Sequence, residues 1–204
     1  MRLSQGILIA FEGIDGAGKT TQVERLTTRL SELGYDVKRT KEPTNGEYGT
    51  ELRASAASGR LPIERELELF LLDRAQHVEQ LIQPTLDSGG IVIVDRYYFS
   101  TVAYQGARGL DPAELLERNE AFAPQPDLLF VLDVDVEVGL RRIRARGDVA
   151  NHFEDADNLA RCRRIFQTFE GQHVVAIDAS VAIDDVESIV WERLTPLLAE
   201  RAAR

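Results

Sequence analysis

The stretch ILIAFEGIDGAGKT, residues 7–20, decides the fold. Its first five residues are apolar and strand-sized. They run into Gly13-Ile14-Asp15-Gly16-Ala17-Gly18-Lys19-Thr20, which matches G-x-x-x-x-G-K-[ST], and a helical pattern follows over about 19–33. Strand, glycine-rich loop and helix in that order make an anion site. The glycines let successive backbone N–H groups of residues 13–18 turn inward on a phosphate, and the helix N-terminus adds roughly half a positive charge. Lys19 then reaches the β- and γ-phosphates of a nucleoside triphosphate, and the Thr20 hydroxyl suits Mg²⁺. The pattern predicts triphosphate binding and leaves its use open.

Outward from this stretch, short apolar runs alternate with longer helical patterns, the signature of βαβ units. Strands are predicted at 7–11, 36–40, 91–95, 128–133 and 173–177. IVIVD (91–95) and LLFVL (128–132) are continuously apolar, as strands covered on both faces are. Helices are predicted at about 19–33, 48–58, 64–87, 112–121, 136–145, 154–170 and 183–201, with Pro84 kinking or ending the third of these early. Stretches 96–111 and 146–153 read as irregular. The expected fold is α/β, a five-stranded parallel sheet flanked by helices, in one domain spanning 1–204 with a short lid at about 141–155. Asp95 closes the third strand, where a carboxylate can hold Mg²⁺ or its water shell.

Composition narrows the function. The 204 residues carry 24 basic and 34 acidic side chains, a net charge of −10. That argues against a nucleic-acid binder, which needs a basic face to release counterions. No apolar run approaches the roughly 18 residues that span a membrane, and no signal pattern precedes the first strand. With a single cysteine, Cys162, no intrachain disulfide forms, so a cytoplasmic setting is expected. Only three basic residues are lysines. Seven arginines fall between 141 and 164 against four acids, a positive island that is either a solvated helix face or an anion site.

The sequence resembles the thymidylate kinases, members of the P-loop nucleoside monophosphate kinases, over nearly its whole length. The resemblance rests on FEGIDGAGKTTQ (11–22), KEPTNGEYGTELR (41–53), ELELFLLDRAQHV (66–78), IVIVDRYYFSTVAYQGA (91–107) and RRIRARG (141–147) before Phe153-Glu154. It implies transfer of the ATP γ-phosphoryl group to dTMP, with Mg²⁺, in a homodimer. For individual residues it implies that Asp15 lies by the acceptor sugar and that Phe70 stacks on thymine, although periodicity alone makes Phe70 a core residue. Arg74, four residues on from Phe70, presents a guanidinium on the same helix face and is expected to grip the monophosphate with Arg96 and Arg53. Glu42 lies near the same cleft. Ser100 and Gln105 are expected to hydrogen-bond the thymine edge, and Tyr104 to close against C2′ and disfavour ribose.

The resemblance turns the arginine island into a lid over ATP. Members with glycine after the loop acid, as at Gly16, take their catalytic arginine from this lid, so Arg146 and Arg144 are the candidates, with Arg142 on ATP. Asn151-His152 stands where members often carry Asp-Arg. Two rival readings are a kinase of another monophosphate or of a nucleoside, and a nucleotide-binding switch without turnover; the Arg74/Arg96 pair argues against a nucleoside acceptor, and acceptor-site arginines with a lid argue against a switch.

Overall fold

A computed structural model describes residues 1–145 and 156–202. Five strands, β1 (Ile7–Glu12), β2 (Val37–Lys41), β3 (Ile91–Asp95), β4 (Leu128–Asp133) and β5 (Val174–Asp178), form one sheet in the order β2-β3-β1-β4-β5. Every pairing is parallel. β1, β3 and β4 are the continuously apolar runs of the sequence, and they occupy the centre with their apolar side chains buried.

Helices cover both faces: α1 (Lys19–Glu32), α2 (Glu47–Ser58), α3 (Ile63–His77), α4 (Gln83–Asp87), α5 (Tyr98–Gly106), α6 (Pro112–Glu120), α7 (Val136–Ala145), α8 (Ala156–Phe166) and α9 (Ile183–Arg201). α1 buries Val23, Leu26 and Leu30, the stripe that makes it amphipathic. No helix among the described residues is long and apolar enough to cross a membrane.

Three expectations need correction. The helix over 64–87 is neither ended nor broken at Pro84. It passes from α3 into α4 through one wider turn at Val78–Ile82, in which Gln83 N–H bonds back to Val78 O. That turn absorbs the proline, which sits at the start of α4 where its missing N–H costs nothing. The helix expected over 154–170 ends at Phe166. The stretch 96–111 is not irregular: Tyr98–Gly106 is helix α5.

Candidate active site

The carboxyl ends of β1, β2 and β3 deliver Glu12, Glu42, Asp95 and Arg96 to one edge of the sheet, beside the loop 13–18. Gly13, Gly16 and Gly18 all have positive φ, which lets the loop curl over the start of α1. Lys19 is buried and donates to Gly13 O (3.0 Å) and Ile14 O (2.9 Å), so its ammonium closes the loop from inside. Burial, with Arg96 nearby, pulls its pKa down to about 8. Thr20 Oγ1 donates to Asp95 Oδ2 at 2.5 Å, tying the start of α1 to the end of β3. These two hard oxygens are the donor type that Mg²⁺ takes.

Arg96 is the one non-glycine among the described residues with positive φ, 68°. Strained backbone of this kind persists only when its surroundings enforce it. The enforcement comes from Glu12. Its fully buried carboxylate accepts from Tyr97 N (2.7 Å), Ser100 N (3.0 Å) and Ser100 Oγ (2.6 Å), and so caps α5 directly after Arg96. Burial pushes the Glu12 pKa up to about 7 against the pull of Ser100 and Arg96. The Arg96 guanidinium donates to Asp15, to Gly13 O and to Ser100 Oγ. Tyr104 O–H donates to Asp15 Oδ2 at 2.7 Å. Burial works to raise the Asp15 pKa, but Arg96, Lys19 and Tyr104 outweigh it and hold the carboxylate below its ordinary range.

Three cavities run along this edge. The first is lined by Asp15, Glu42, Arg53, Phe70, Arg74, Arg96, Ser100 and Tyr104, together with Pro43, Leu52, Ala56, Tyr97 and Thr101. Eight residues expected from the sequence therefore meet around one space. Phe70 is only half-buried and faces it rather than the core. Thr101, Leu52 and Tyr97 went unidentified; Thr101 alone had a signal, as the second residue of the Ser-Thr pair after DRYYF. The second cavity contains Gly16, Gly18, Lys19, Thr20, Asp95 and Lys41, and shares Asp15, Glu42 and Arg96 with the first. The third is lined by Gly16, Ala17, Gly18, Thr21, Gln22, Arg142, Ala145, Ala179, Val181, Ile183 and Val186. Val181 and Ile183 are among the few large apolar residues left exposed.

The arginines of the first cavity differ in state. Arg74 is buried, with Nη2 2.6 Å from Glu42 Oε2 and further bonds to Asn119 and Thr101. Glu42 also meets His77 Nδ1 at 2.9 Å, and His77 Nε2 meets Thr40 Oγ1. Arg53 binds Pro43 O, Thr44 O and Thr50 Oγ1, and among the described residues no carboxylate lies within ion-pair distance of it. Among the described residues, Arg53 is thus the cavity arginine without a paired carboxylate.

Gln105 is placed elsewhere. It is fully buried and Nε2 donates to Glu66 Oε1 at 2.9 Å, outside the cavity lining. The buried Glu66 carboxylate needs donors, and Gln105, Arg60 and Arg108 supply them. The arginine island is also divided. Arg163 pairs with Asp133 and Asp135, Arg161 donates to Ala107 O, and Arg142 donates to Gly16 O and Ala179 O. Arg144 is exposed on the last turn of α7. Arg146, Asn151-His152 and Phe153-Glu154 lie outside the described residues.

A phosphate loop at the carboxyl edge of a parallel sheet, opening on a cavity with arginines, defines a P-loop phosphotransferase. Within that class, the chain belongs to the thymidylate kinase family, whose family model, described as "Thymidylate kinase", matches residues 11–190. It is similar to the thymidylate kinase of Xanthomonas euvesicatoria pv. vesicatoria, 57% identical over 198 residues, 96% of this chain and 86% of that one. The thymidylate kinase of Xanthomonas campestris pv. campestris is 54% identical over the same length and shares. That of Xylella fastidiosa is 52% identical over 183 residues, 90% of this chain and 84% of its own.

Proposed function

We propose that the three cavities divide the two substrates of one reaction. The chain is an ATP-dependent phosphotransferase that acts on dTMP, giving dTDP and ADP. The first cavity takes dTMP, with Phe70 against the base, Tyr104 and Asp15 by the sugar, and Arg53 and Arg96 toward the phosphate. The second takes the ATP phosphates, and the third its base, between the loop and the apolar rim of Val181 and Ile183. The observation that carries this reading is the sharing of Asp15, Glu42 and Arg96 by the first two cavities, which supports acceptor and donor phosphates meeting there.

An anionic phosphate oxygen of dTMP attacks the γ-phosphorus, and the bond to the β,γ-bridging oxygen breaks, leaving ADP. The attacking oxygen already carries charge, so no general base is needed. Lys19 and the loop N–H groups hold the transferring group, and Arg96 faces both phosphates; positioning and charge stabilisation supply the rate. Thr20 and Asp95 would hold Mg²⁺, which when bound neutralises charge on the β- and γ-phosphates. The lid arginines Arg144 and Arg146 belong to the same reading, as do a homodimer and a cytoplasmic setting.

Paired variants test the division. Phe70→Ala should raise the KM for dTMP and spare that for ATP, and Val181→Asp should do the reverse. Both KM values moving together in both variants would defeat it.

A further inference from the structure

α7 rests on the phosphate loop through two glycines with no side chain between them. A Cβ built on Gly139 meets Asp15 O at 2.6 Å, and one built on Gly16 meets Gly139 Cα at 2.6 Å. Both distances lie below the closest approach that real carbons make, and the opposing atoms are backbone, which cannot rotate away. Gly139 sits inside a helix, where alanine would serve stability better. Its presence there is explained by the contact. One helical turn on, Arg142 projects from the same face. Its guanidinium donates to Gly16 O at 3.4 Å and to Ala179 O at 3.0 Å. The loop, α7 and the turn after β5 are thereby clasped together, and these three segments are walls of the third cavity.

We infer that Gly139 is a positioning residue for the phosphoryl donor: the Gly16–Gly139 contact sets the distance between α7 and the phosphate loop, and with it the width of the cavity that takes the ATP base. The inference rests on the assignment of the third cavity to ATP. It also gives Gly16 a steric reason. A basic side chain at position 16 would have to displace α7, so the loop of this chain cannot carry its own extra cation while α7 stays seated. Positive charge over the γ-phosphoryl group beyond that of Lys19 must come from outside the loop.

Gly139→Ala is the test, with Glu137→Ala, an exposed change on the same helix, as control. Gly139→Ala should raise the KM for ATP at least fivefold and lower kcat/KM for ATP at least tenfold. The KM for dTMP should stay within twofold whatever the melting temperature does, while Glu137→Ala leaves the kinetic parameters unchanged. Steady-state kinetics against each substrate and a thermal melt read this directly. ATP parameters within twofold of wild type would overturn the inference, and so would equal losses for both substrates with a lowered melting temperature, which mark a purely structural role. Val181→Asp separates the two readings. If it raises the KM for ATP while Gly139→Ala does not, the clasp fails and the cavity assignment stands; if neither does, the assignment itself fails.

Discussion

Arg74 Nη2 lies 2.6 Å from Glu42 Oε2, and both side chains are buried beneath the acceptor cavity. The sequence suggests a free cation waiting for phosphate; the structure holds one already matched by a carboxylate, with His77 on the carboxylate's other oxygen. Removing Arg74 leaves the buried Glu42 carboxylate without its guanidinium partner. Arg74→Ala should therefore cost about 3–5 kcal/mol of stability, roughly 6–20 °C in melting temperature for a domain of this size. Loss of dTMP use should accompany it. A melting temperature within a degree or two of wild type would contradict this placement.

Arg53 should behave differently. Among the described residues its guanidinium holds only backbone carbonyls and one hydroxyl, so Arg53→Ala should leave the fold intact and act on substrate. Charge-assisted hydrogen bonds are worth about 1.5–3 kcal/mol each, so the kcat/KM for dTMP should fall at least about tenfold. An unchanged dTMP dependence would mean that Arg96 holds the phosphate without it.

Lys19 gives a pH signature. Burial lowers its pKa to about 8 in the free protein, so its ammonium is lost as pH rises through that value. Bound triphosphate favours the charged form and moves the loss upward. Because kcat/KM reports the free enzyme and kcat the complex, kcat/KM for ATP should fall above pH about 8 while kcat holds to higher pH. Coincident alkaline limbs would refute this. Lys19→Ala should remove both limbs along with nearly all turnover.

Tyr104 places its hydroxyl on Asp15 and its ring in the acceptor cavity. Tyr104→Ala should narrow the preference for dTMP over its ribose counterpart, whereas Tyr104→Phe, which keeps the ring, should preserve it. An equal change in the two variants would assign the discrimination to the hydroxyl instead.

The proposal of a lid arginine can be tested by single-turnover kinetics of Arg142→Ala, Arg144→Ala and Arg146→Ala at saturating substrates. One of Arg144 and Arg146 should lower the transfer rate by about 10³ or more. Arg142→Ala, which unclasps Gly16 from Ala179, should leave that rate near wild type and instead raise the KM for ATP in steady-state assays. All three within about threefold of wild type, under roughly 0.7 kcal/mol, would exclude a lid arginine.

The sheet was legible because its central strands are continuously apolar and end on Glu12 and Asp95 beside an unmistakable glycine loop. Helix α5 was not. Tyr98, Phe99, Thr101, Val102 and Tyr104 favour strands locally, and Tyr97 offers no side-chain cap. The cap is Glu12, distant in sequence and brought in by the β1–β3 pairing. Phe70 and Asp15, which line the cavity, could be anticipated only through the family resemblance, because helical periodicity alone makes Phe70 a core residue. The engagement of Gln105 by Glu66 could not, because nothing local announces that a carboxylate at position 66 will be fully buried and need donors. The Gly16–Gly139 contact was equally hidden: each glycine has a local excuse, and only their packing gives the reason.

The central claim is phosphoryl transfer from ATP to dTMP, and ADP release measured across the common nucleoside monophosphates at equal concentration tests it most directly. dTMP should give the highest turnover, with dUMP lower by about 10- to 200-fold for its missing methyl group. If dTMP gives no more ADP than water does, or another monophosphate is turned over faster, the assignment of this chain's activity is wrong.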